Sequence, residues 1–222
     1  PDSRAATVWS VAVNGVMAGC RPQYMPVLVA AVEAMCDPRY GVEHSGNTPG
    51  GDTLIILNGP IIKQLDFNYT QGALRDGFQP NTSIGRFFRL YLRNVAGFLL
   101  HAADKCTFGS TWRVVFAENE EVLASIGWEP TSVEMGYAAG DNTVSIARYA
   151  GGNHIGSVGG STPQEMLPYL AEFVARQHLE FGGIPSAAPP ARPVRGAASG
   201  PVVPAVFLRV ALPWQARNPR PD

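Results

Sequence analysis

The chain has 222 residues, of which 45% are apolar and 16% charged, a composition that can bury a core and excludes intrinsic disorder. Its 17 Lys and Arg stand against 18 Asp and Glu, a formal net charge of -1, so there is no basic field to make nucleic acid or an anionic membrane the principal partner. No apolar run approaches the ~18 residues of a membrane span, and Pro1 to Ala12 lacks the charged-then-apolar order of a secretion signal.

Thr7 to Asn14 (T-V-W-S-V-A-V-N) reads as a strand. After the loop G-V-M-A-G-C-R a helix is expected from about Pro22 to Cys36, with Leu28, Val32, Met35 and Cys36 at helical spacing. Leu54 to Leu57 is a short apolar run that stops at Asn58-Gly59-Pro60, as a strand buried on both faces does at a turn. Asn81 or Thr82 is the expected cap of the clearest helix, whose stripe is Ile84, Phe87, Phe88, Tyr91, Leu92 and Val95 and whose other face carries Arg86, Arg89 and Arg93. Trp112 to Ala117 is the next strand, followed by an acidic turn, Glu118-Asn119-Glu120-Glu121. Thr143 to Tyr149 is rich in β-formers, and Gly151 to Gly160 is rich in glycine. Thr162-Pro163-Gln164-Glu165 is a capping box that opens a helix running to about Phe181.

From Ile184 to Pro204 the chain is Ala, Pro, Gly, Ser and Arg, too poor in large apolar side chains to pack, and Ala205 to Leu212 regains a strand pattern bound for a sheet edge or a neighbouring subunit. The expected organisation is an α/β domain over 1–183, a linker or arm over 184–204, and a strand with its tail over 205–222. Alternating strands and helices predict a three-layer α/β fold, a mostly parallel sheet with helices on both faces.

Three predicted strands end with asparagine in or near the turn, at Asn14, Asn58 and Asn119. Ligands of open parallel sheets bind beyond the carboxyl ends of the strands, and Asn offers a donor and an acceptor there, although Asn-Gly also serves simply as a turn. Cys20 falls at the expected start of a helix, where free N–H groups, the dipole and Arg21 favour a thiolate. The alternative is a small buried cysteine filling space beside Gly19. Glu118 and Glu120 at a strand end suit acid/base chemistry, or a solvated acidic turn. Arg86, near a helix start, is a candidate anchor for a carboxylate or phosphate on a face that otherwise reads as exposed arginines. His154, within the glycine-rich stretch, is placed to move protons near neutral pH.

Cys20, Cys36 and Cys106 are odd in number and lack a C-x-x-C pair, which excludes a disulfide framework or zinc ribbon and points to a reducing cytoplasm. H-x-x-x-H, G-x-S-x-G, Walker A and a G-x-G-x-x-G after a strand are all missing. No metal ligands are assigned and no cofactor is named.

Four segments carry a resemblance. Asn14 to Pro38 (N-G-V-M-A-G-C-R-P-Q-Y-M-P-V-L-V-A-A-V-E-A-M-C-D-P), Leu57 to Ile61, Asn81 to Leu90 and Ala117 to Glu121 (A-E-N-E-E) together resemble the UGSC family, named for a selenocysteine- or cysteine-Gly-Ser-Cys motif. The similarity runs from roughly Val8 to Ala150. It implies a thiol- or selenol-based, oxidoreductase-like enzyme with Cys20, Arg21, Tyr24, Asn58, Arg86, Glu118, Asn119 and Glu120 at motif positions. The C-G-S-C motif itself is absent from the sequence, because the chain resembles the family's second half. A separate subunit supplies the other half, an upstream segment does, or Cys20 works alone.

The functional expectation is a thiol-dependent enzyme acting on a small organic molecule. Its groups are Cys20, Glu118 and Glu120 in catalysis, with Asn14, Arg21, Tyr24, Asn58, Arg86, Asn119 and His154 holding substrate. The alternatives are a non-catalytic subunit of a heteromer whose partner carries C-G-S-C, and a metal-dependent hydrolase or lyase using Glu118, Glu120 and His154. A homo- or hetero-oligomer is expected in each case.

Overall fold

The structure is a computed structural model that describes residues 4–44, 52–104, 115–149, 159–181 and 208–211. Its first element corrects the sequence reading, because Val8–Ala18 is a helix, α1, and no strand. Thr7 and Ser10 close a reciprocal capping box at its start. Val11, Asn14, Gly15 and Ala18, at a spacing of three and four, are buried. The apolar residues of T-V-W-S-V-A-V-N fit either period, and the cap with tertiary burial decides for the helix. Gly19 in the left-handed region (φ 85) ends it.

The helix expected from Pro22 divides into a 3-10 turn over Pro22–Tyr24 and α2, Met25–Cys36, with Pro26 in its first turn. Cys36, expected on the apolar face, is exposed. Strand β1 spans Asp52–Asn58 and is followed by the single turn α3, Ile61–Gln64. Helix α4, Gln79–Asn94, begins before the expected cap, with Phe78 at the N-cap position and Pro80 in the first turn. Asn81 lies inside it and is buried. Ile84, Phe87, Phe88, Tyr91 and Leu92 form the buried stripe as expected, whereas Val95, also expected on it, is the half-buried C-cap. Burial of each stripe residue contributes about 1.5–3 kcal/mol.

Strand β2, Val115–Ala117, precedes α5, Glu120–Ser125, so the acidic segment is the first turn of a helix capped by Asn119 and no free turn. A four-residue helix α6, Thr131–Glu134, leads to β3, Thr143–Tyr149. Helix α7, Pro163–Phe181, starts at the expected capping box, and β4 is Leu208–Ala211. Cys106, His154 and the tract 184–204 lie outside the described residues.

The strand order is β2-β1-β3-β4. Only β1 and β2 are parallel, while β3 runs antiparallel to β1 and β4 antiparallel to β3, so the sheet is mixed rather than mostly parallel. The physical reason lies between β2 and β3, where the chain turns through α5 and α6, too short to carry it across the sheet, and re-enters from the end at which β2 left. The carboxyl ends of β1 and β2 and the amino end of β3 therefore meet.

Side chains alternate along these strands. Ile55, Leu57, Val115, Ala117, Val144 and Ile146 share one face and one hydrophobic core with α1, α2 and α4. The Tyr40 hydroxyl bonds the Thr53 hydroxyl on that face. Leu54, Ile56, Asn58, Thr143 and Ser145 lie on the other. Among the described residues no helix is long and apolar enough to cross a membrane.

Candidate functional site

Where β1 ends, Asn58 is fully buried and pairs in register with Thr143. Its Nδ2 donates to Glu118 Oε2 at 2.6 Å and to Glu120 Oε1 at 3.0 Å. Gly59 N–H donates to the same Glu120 oxygen at 2.8 Å. Residues from two parallel strand ends thus converge on one amide group, and Glu118 continues the β1–β2 pairing by donating its backbone N–H to Leu57 O at 3.1 Å.

The two glutamates are not equivalent. Glu118 also accepts from Thr131 N–H at 2.9 Å through Oε2 and from the Thr131 hydroxyl at 2.6 Å through Oε1. Both of its oxygens are engaged. Glu120 receives its two bonds at Oε1, and its Oε2 accepts none among the described residues. Both side chains are half-buried. Glu118 is therefore held through both of its oxygens, while Glu120 keeps one oxygen without a hydrogen bond among the described residues.

Gly59 is held at φ 96, and a Cβ there would collide with the backbone of Asp141 and Asn142. The close approach of the 141–142 backbone is what requires glycine. Asn142 Oδ1 in turn accepts the Ile61 N–H at 2.7 Å, fixing the turn that leads into α3. Glu121 points away from the cluster and pairs with Lys63.

Cys20, Arg21 and Tyr24 form a second group. Cys20 follows the carboxyl end of α1, its N–H bonded to Gly15 O at 2.9 Å. That is not the helix start expected for it, since α2 begins at Met25. Burial pushes its thiol up to about 12, opposite to the depressed value a helix N-terminus would give. The Tyr24 side chain is buried, and its hydroxyl is held above its ordinary value by that burial, opposed by the charge of Arg21 and reinforced by Cys20 and Asp66. Asp66, at φ 57 just beyond α3, is thus a neighbour of this group that the sequence reading missed. No hydrogen bond among the described residues joins this group to the glutamates.

Other expected site residues lie elsewhere. Asn14 sits within α1, where Nδ2 donates to Ser10 O at 2.9 Å and Oδ1 accepts from Asn94 Nδ2 at 2.8 Å, a tie between α1 and α4. Asn119 caps α5 by accepting the Val122 N–H at 3.1 Å. Arg86 is exposed and has no ion pair among the described residues, while Arg89 pairs with buried Asp104 at 3.0 Å. Thr131, Asn142, Thr143 and Ser145 were not singled out from the sequence. Asn142-Thr143, an asparagine immediately before a β-rich run, was the available signal for two of them.

The described residues hold no group of three or more His, Cys, Asp or Glu side chains able to bind a metal ion. No protein-family model matches the chain, and no curated protein or solved structure matches it.

Proposed function

We propose that the chain is an enzyme, or the subunit of one, that acts on a small organic molecule at the ends of β1 and β2, with Glu120 transferring a proton and Cys20 supplying a thiol. The observation that carries this reading is the buried Asn58 amide holding two glutamates together, one saturated and one with an open oxygen. Folding alone does not call for it, since two neighbouring carboxylates at a strand end repel. The thiol and its oxidoreductase-like chemistry come from the UGSC resemblance. A thiol pushed up to about 12 stays protonated at neutral pH, so Cys20 reacts as a nucleophile only after a base accepts its proton.

Incubating the full chain with a small-molecule extract and following every compound by mass spectrometry tests the thiol role. The expected result is a compound consumed by the wild type and left untouched by Cys20→Ser. Equal consumption by the two proteins removes Cys20 from the chemistry.

A second reading, a non-catalytic subunit, is favoured by α1. This helix has no charged residue and exposes Val8, Trp9, Val13, Val16 and Met17, and a helix apolar on all sides is ordinarily covered. A second chain that always co-purifies and alone carries the activity would establish it.

A further inference from the structure

We infer that the exposed face of α1 is a dimer interface, and that its occupant is α1 of a second copy of this chain, the two helices lying antiparallel. The inference stands apart from the proposed function and uses none of its residues. Helix α1 has two apolar faces. Val11, Asn14, Gly15 and Ala18 turn to the core, while Val8, Trp9, Val13, Val16 and Met17 are exposed. A helix that only covers a core carries charged residues on its outer side, and α1 has none. Its outer face is laid out as a seam. Trp9 and Val16, 78% and 76% exposed, stand seven residues and so about two turns apart on one line, with Ala12 and Val13 between them.

The apolar surface continues past the helix. Gln79 Nε2 donates to Gly19 O at 3.1 Å and Asn94 Nδ2 to Asn14 Oδ1 at 2.8 Å, so α4 runs antiparallel to α1 and ends beside its amino end. At that end Leu99 and Leu100 are exposed as well. Taking ~100 Å² for a whole aliphatic side chain and ~200 Å² for Trp, the exposed fractions of these residues amount to roughly 500 Å² of apolar surface. Homodimer interfaces are about 65% apolar, so the patch corresponds to roughly 800 Å² per partner, the area a stable dimer buries. A like copy also fits it chemically. With no charge on α1, a self-complementary contact sets no like charges against each other, and a formal net charge of -1 adds little repulsion at range. Turned antiparallel about the point between Ala12 and Val13, each Trp9 lies over the Val16 of the other copy. The small Ala12 side chain then sits where the helices come closest, and the helix dipoles are opposed.

The test is sedimentation velocity of the full chain across micromolar concentrations. A species of twice the chain mass is expected. Trp9→Glu and Val16→Glu each bring one carboxylate from either copy into the apolar seam, and each should weaken association by about a hundredfold or more. Trp128→Glu, at a comparably exposed apolar residue outside the patch, should associate as the wild type does. Circular dichroism on each protein separates lost association from lost folding. A wild type that stays monomeric at every concentration, or folded Trp9→Glu and Val16→Glu proteins that dimerise as the wild type does, overturns the inference. So does a dimer that Trp128→Glu alone dissolves. A different chain seated on α1 in place of a second copy overturns it too, and favours the non-catalytic subunit.

Discussion

Asn81 shows what one buried amide does in this molecule. It accepts the Asn68 N–H at 2.8 Å and donates to Asn68 O and Val115 O, both at 2.9 Å, joining α4, the segment after α3 and β2. Asn81→Ala leaves one donor and two acceptors buried and unmatched. A loss of about 3 kcal/mol of unfolding free energy is expected in denaturant titration. Cys20 gives a prediction of a different kind. Its thiol is raised in the folded state from 9.0 to about 12, so the folded protein holds a proton that the unfolded chain has released, and stability falls as pH rises across that interval. Cys20→Ala should flatten the alkaline fall measured by thermal melts. Below pH 9 exposed Cys36 should be alkylated faster than Cys20, since burial disfavours the reactive thiolate.

Among elements, the turn from β1 into α3 is the most constrained. Gly59 combines a left-handed backbone with the close approach of Asp141 and Asn142, and its N–H holds Glu120. Gly59→Ala should therefore destabilise by more than ~1 kcal/mol and displace Glu120. Gly127→Ala, at φ 73 with open space around it, meets the backbone cost alone and should be milder in the same melt. This turn was legible in the sequence, because Asn-Gly-Pro after an apolar run can hardly be anything else. So were the stripe of α4 and the capping box of α7, where several local signals agree. The first helix was not. Eight residues of Val, Ala, Ser, Thr, Trp and Asn satisfy period two and period three to four alike, and the deciding burial of Val11, Asn14, Gly15 and Ala18 comes from α2 and α4. That error carried Asn14 and Cys20 with it, for a cysteine after a strand stands at the start of a helix, whereas Cys20 stands at the end of one.

At the scale of the whole molecule, the sheet decides which candidates meet. Alternating elements read as parallel βαβ units, yet the short helices α5 and α6 return the chain antiparallel. Strand direction depends on how far a connection travels, which residue types do not record. Asn58, Glu118 and Glu120, all singled out from the sequence, meet because their strands end at the same place. Thr131 and Thr143 join them through that return connection, invisible without the fold.

In the proposed function these strand ends are the working site, and Glu120 holds the open carboxylate. Turnover by wild type and by Glu120→Gln, compared on the same small-molecule extract after both are shown to be folded, tests it most directly. A compound transformed by the wild type and spared by Glu120→Gln is the predicted result. A folded Glu120→Gln that transforms it at the wild-type rate would contradict the account and place the chemistry elsewhere.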